Sequence, residues 1–198
     1  MVQVPDEVMD YFEAVRSSYV RTLEHAIRVE IEKNPGAHVY QEVMAKTGDG
    51  SYKTCWDIAI EHSDGRMEPV LVDLSVFLPW EHARIRVGNL SVLVEPFLWH
   101  VCSIVARPAP PEHTFAALAQ WFDRWFQLDK VPGERFRNAV HWMSDPEIRE
   151  GHLCLQVDLG TAPADAVLDL LRTIGAMGAT SAALYTSPDY ASPDLELP

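Results

Sequence analysis

Two aspartates, Asp57 and Asp73, fall on what reads as the polar side of neighbouring strand-like runs, with Cys55 beside Asp73. Carboxylates so placed could hold a cation or pass a proton. The same pattern is that of the solvated face of an antiparallel sheet, and that is the expected role. No Glu-x-Lys occurs in the chain, so the nuclease arrangement of an Asp followed by Glu-x-Lys is absent. His100-x-Cys102, with His82 and His113 nearby in sequence, is not the spacing of a known structural zinc site. It alternates with Trp99 and Val101 in an apolar run and reads as strand interior, so no metal or other cofactor is expected.

Nucleophilic chemistry lacks its usual local signatures. There is no Gly-x-Ser-x-Gly, no Ser-x-x-Lys and no glycine-rich phosphate loop, and Ser103 lies in a greasy stretch beside Cys102. Arg84 with Arg86, and Arg135 with Arg137, could form an anion site but read as charge balance. A small-molecule enzyme would need Asp57, Asp73, His100 and His141 to converge in a pocket. The sequence leans away from that. Trp121 and Trp125, one helical turn apart, and Phe122 between them are the candidate interface residues, because tryptophan is enriched at binding hot spots.

The elements that must position these residues follow from periodicity. Pro5 to Lys33 is a long amphipathic helix whose stripe is Val8, Phe12, Val15, Tyr19, Leu23, Ile27 and Ile31, stopped by Asn34-Pro35-Gly36. Residues 37–106 read as an antiparallel meander. In Ser51 to His62 the even positions Tyr52, Thr54, Trp56, Ile58 and Ile60 form the apolar face. Lys53, Asp57 and Glu61 form the outer one. Met67 to Phe77 alternates too. A two-residue Asp64-Gly65 turn would set these faces against each other; a three-residue loop, Ser63-Asp64-Gly65, pairs Trp56 with Val72 and Ile58 with Val70. Further hairpins are expected at Thr47–Gly50 and Gly88–Asn89. Phe97 to Ala106 reads as a strand, with a short helix as the alternative.

After the stiff Arg107–Pro111 linker come a helix near His113–Leu128, rich in aromatics, and a strand over Phe136–Met143. Leu153–Leu159 is a strand with Leu153, Leu155, Val157 and Leu159 inward and Asp158 outward. Thr161 is the expected N-cap of a helix to Ala176, before a last strand at Ala182–Thr186. The fold class is α+β: an antiparallel meander sheet covered by the N-terminal helix and two further helices. The chain reads as one globular domain over residues 1–198, divisible into lobes at 5–106 and 112–187, with 188–198 a loose tail.

Composition narrows function. The net charge of −13 disfavours nucleic acid and anionic membrane surfaces as partners, and no stretch is long and uncharged enough to span a bilayer. Three well-separated cysteines without Cys-x-x-Cys spacing, and no basic and apolar leader, point to reduced thiols in the cytoplasm. Element order and acidity are similar to those of type III secretion chaperones, small acidic dimers that hold an effector segment. That resemblance implies a non-catalytic, chaperone-like protein-binding domain; an immunity-like inhibitor or another acidic adaptor fits the same pattern equally well. It would work through a sheet face or the aromatic helix, with another protein, a basic one or a second copy of itself, as partner.

Overall fold

In the computed structural model, residues 4–46, 52–126 and 136–186 are described. Helix α1, Asp6–Lys33, starts after Pro5, whose extended backbone (φ −55°, ψ 139°) lies within proline's fixed range, and ends on Asn34. Val8, Tyr11, Phe12, Val15, Ser18, Tyr19 and Leu23 are buried at helical spacing. The expected stripe runs out there: Ile27 is half-buried and Ile31 is 53% exposed.

Strands β1 (His38–Lys46), β2 (Tyr52–Glu61) and β3 (Met67–Pro69) form a three-stranded antiparallel sheet in that order. Ala59 pairs with Pro69 and Glu61 with Met67, and His62 N–H donates to Arg66 O at 3.0 Å. The loop is therefore three residues, with Gly65 at φ 81°. This is the register that strand parity predicts, and Val70 N–H still reaches Ile58 O at 2.9 Å. The strand itself stops at Pro69. Residues 70–82 form no regular element, so the expected Met67–Phe77 strand is three residues long and Trp56 has no Val72 partner in the ladder. In β1, Val39, Gln41 and Val43 face Ile60, Ile58 and Trp56. The Thr47–Gly50 turn lies outside the described residues.

The second sheet has seven strands: β4 (Ala83–Val87), β5 (Leu90–Val94), β6 (Cys102–Arg107), β7 (Trp142–Met143), β8 (Glu147–Arg149), β9 (His152–Asp158) and β10 (Ser181–Tyr185). Their order is β4-β5-β10-β6-β9-β7, with β8 also on β9. Val87 opposes Leu90 and Ile85 opposes Val92 across the Gly88–Asn89 hairpin, as predicted. The expected continuous meander is instead split between two sheets, and β10 is inserted between β5 and β6. It runs parallel to β5 and antiparallel to β6. This sheet draws strands from both the 5–106 and the 112–187 segments. Phe97–Val101 is a turn closed by a Leu98–Val101 bridge, and the strand begins at Cys102. Of Phe136–Met143 only the last two residues are strand.

Helices α2 (Ala116–Phe126) and α3 (Ala164–Ala176) complete an α+β architecture of mostly antiparallel sheets. They pack on each other: Trp121 Nε1 donates to Ala166 O at 3.1 Å, and Arg124 and Trp125 both reach Asp169. No helix among the described residues is long and apolar enough to cross a membrane.

Candidate functional site

His141 is fully buried and belongs to neither sheet, yet its backbone joins them. Its N–H donates to Asp158 O at the end of β9, and its carbonyl accepts from Cys55 N in β2, both at 2.9 Å. This places the imidazole between the two sheets, under Tyr19 of α1. Gly160 makes the room. It sits at φ 52°, and a Cβ there would fall on the His141 ring, so only glycine fits.

Glu42, also fully buried, meets His141 from β1. The β1–β2 pairing passes from Gln41–Ile58 to Val43–Trp56 over Glu42, which stands at φ 49°, a costly value for a residue other than glycine. Glu42 Oε1 lies 2.9 Å from His141 Nε2 and also accepts from the Thr161 hydroxyl, while Oε2 accepts from Arg137 N–H. Thr161 is thus not the N-cap of α3. Pro163 holds that position without a side-chain cap bond, and Thr161 turns its hydroxyl into the interior. Arg16 of α1 secures this loop, donating to Ala162 O at 2.8 Å and Thr161 O at 3.0 Å.

Asp57 completes the group from β2. Its Oδ1 accepts from the Tyr19 hydroxyl and lies 3.0 Å from His141 Nδ1. It stands off the direction in which Nδ1 points, and that nitrogen has no hydrogen-bond partner. Asp158 closes the ring, its Oδ1 accepting from Gly160 N–H at 2.9 Å. Oxygens of Asp57 and Asp158 and a nitrogen of His141 all lie within 4.8 Å of one another. Glu42 and His141 are sealed, but Asp57 and Asp158 keep partial exposure, so the cluster has a mouth.

The electrostatics are crowded. Burial pulls the His141 imidazole down, but the surrounding acids, with Asp57 and Glu42 in contact, outweigh it and hold its pKa well above the ordinary value. Cys55 adds nothing to this near neutrality, because burial pushes its thiol up to about 12. Burial also raises Asp158 to about 7, with the Asp57 charge adding to the rise and His141 opposing it. Asp57 stays below the usual carboxylate range: burial works against it, but His141 and the Tyr19 hydroxyl prevail. Among the described residues, no lysine or arginine side chain forms an ion pair with Glu42, Asp57 or Asp158.

No protein-family model, curated protein or solved structure matches the chain.

Of the residues singled out in the sequence, Asp57 and His141 come together. Asp73 does not join Asp57: it is exposed and accepts from Ser75 N–H at 3.0 Å. His100 stands at the edge, stacked on Tyr19 at 6.2 Å. Burial lowers its pKa, with Asp57 and Asp73 pulling the other way. Its Nδ1 is buried without a partner. Cys102 is core, at 1% exposure. The supposed outer face of β2 is itself covered, with Cys55 and Ala59 buried on either side of Asp57. Trp121 is 1% exposed and belongs to the α2–α3 packing; Trp125 and Phe122 are half-buried. Arg84 and Arg86 are exposed, and Arg135 lies outside the described residues.

Glu42, Asp158, Tyr19 and Thr161 join this cluster without having been singled out for chemistry in the sequence. The available signals were a lone acid in an apolar strand and an aspartate followed two residues later by glycine. A separate surface cleft of about 560 Å³, lined by Arg107, His152 and Ser181 among others, includes none of these residues.

Proposed function

We propose that the protein is a small-molecule-binding domain or enzyme. Its ligand is positively charged, and its site is the partly open cluster of Asp57, Asp158 and His141 backed by Glu42 and Tyr19. One observation carries this reading: three carboxylates converge on one imidazole. Even a protonated His141 neutralises only one of them, and stability alone does not call for the surplus. Perturbed acids and bases gathered at a mouth are characteristic of functional sites. Asp158, with its pKa near neutrality, suits proton transfer to or from a bound ligand. Three free thiols, at Cys55, Cys102 and Cys154, fit a reducing compartment such as the cytoplasm.

Neutral isosteres test the reading. A site held against its own stability gains when the surplus charge is removed. Asp158→Asn is therefore expected to raise the unfolding free energy by roughly 1 kcal/mol in chelator-treated protein, measured by urea denaturation. A loss of stability of similar size would mark the cluster as structural and end the proposal.

A second reading, a protein-binding module, is favoured by a different feature. The segment over residues 70–82 presents Leu71 at 98% exposure, Phe77 at 55% and Val76 at 38%. The acidity of the chain suits a basic protein as partner, or a second copy docking through this apolar segment; nucleic acid fits poorly. Here the measurement is solution mass. Light scattering of wild type against a Leu71→Ser/Phe77→Ser double variant should show an assembly lost in the variant, and a monomer in both cases excludes self-association through this segment.

A further inference from the structure

We infer that Asp57, Asp158 and His141 form a binding site for one divalent transition-metal ion, zinc or manganese, with Glu42 as the residue that positions His141. This deepens the reading above and rests on it. Glu42 takes the Nε2 side of the imidazole at 2.9 Å, and its oxygens are further occupied by the Thr161 hydroxyl and Arg137 N–H. That arrangement has Nε2–H donate to Glu42 and leaves Nδ1 as the nitrogen an incoming cation would take, displacing its proton. A carboxylate on the far nitrogen is the usual companion of a metal-ligating histidine, since it fixes the tautomer and strengthens the donor.

The second observation is independent of the acids. Nδ1 is fully buried and has no hydrogen-bond partner, although a carboxylate oxygen lies 3.0 Å away. With Nε2 fixed on Glu42 and the ring lodged against Gly160, Nδ1 is held off the direction of Asp57. A cation between them satisfies both. Asp57 and Asp158 each use Oδ1 for an internal hydrogen bond, to Tyr19 and Gly160, and their other oxygens have no such partner among the described residues. No two ligand atoms are more than 4.8 Å apart. Donors at about 2.1 Å from one ion stand at most about 4.2 Å apart, so small side-chain rotations close the set.

The donor set selects the ion. One imidazole nitrogen disfavours magnesium and calcium, and two carboxylates without a thiolate disfavour copper(I). Three protein ligands leave at least one position open for water or a substrate oxygen, at the side where Asp57 and Asp158 are exposed. His100, with its own unpartnered Nδ1, borders that side.

The test is titration of chelator-stripped full-length protein with zinc sulfate and, separately, manganese chloride, read by calorimetry. Circular dichroism in chelator confirms that each variant is folded. One site per chain is expected. Asp158→Asn should weaken it by more than about 100-fold, and Glu42→Gln by about 10- to 100-fold. His62→Ala, at the surface His62–Glu68 pair, should leave it unchanged. Absence of saturable binding, or binding that survives Asp158→Asn, overturns the metal site. If Glu42→Gln alone is without effect, its positioning role is overturned. A flat titration together with a stabilising Asp158→Asn removes the metal but leaves the ligand site, whereas a flat titration with a destabilising Asp158→Asn removes both.

Discussion

Glu42 and Gly160 show how much single positions are asked to hold at this centre. One is an acid buried at positive φ, the other a glycine without which the imidazole has no space. Gly160→Ala must both strain the backbone and displace His141, so it is expected to cost about 2 to 4 kcal/mol in urea denaturation. A neutral result would mean that the ring moves freely and is not clamped. Few of these residue-level details were legible beforehand. Asp57 and His141 could be named as chemically capable, but Asp158 read as outward-facing because alternation along β9 places it with Cys154 and Gln156. Alternation reports which side of a strand a residue is on. It does not report what meets the end of the strand, and here Asp158 meets His141 and Asp57.

At the scale of elements, the aromatic helix illustrates the same limit. Its apolar residues cover more than one face, and an interface is a reasonable expectation from sequence. In the fold α3 supplies the second surface, and Trp121 is sealed with its indole N–H on the Ala166 carbonyl. Trp121→Ala should therefore cost about 3 to 5 kcal/mol, as large aromatic truncations in cores do. Chemical denaturation decides it, and a change under 1 kcal/mol would return the residue to the surface. Where geometry is local, the sequence was a good guide. The three-residue loop at Ser63–Gly65 and the Gly88–Asn89 hairpin both took the expected register, because parity and turn length leave few choices. α1 kept its expected span and lost only the end of its stripe, where Ile31 is exposed.

For the whole molecule, the decisive element is β10. It lies between β5 and β6, so both neighbours depend on it for their backbone bonds. Ending the chain after Gly178 would leave two long unpaired edges inside a core. Such a variant is expected to lose native circular dichroism and to aggregate on purification; a soluble, cooperatively folding product would contradict the strand order. This insertion had no signature in sequence, since a strand pattern does not carry the identity of its neighbours. The α+β class was legible from the segregation of helices and strands, whereas the division into two sheets was not.

The position of β10 also sets a clock for synthesis. Arg107 and its partner Ser181 are separated by 74 residues of chain. At about 5 to 20 residues per second, translation spends roughly 4 to 15 s between the two. During that interval β5 can lie against β4, and β6 against β9 once that strand is made, but the edges that β10 will fill stay open. The nascent chain thus passes through a stage with sticky edges before its sheet can close.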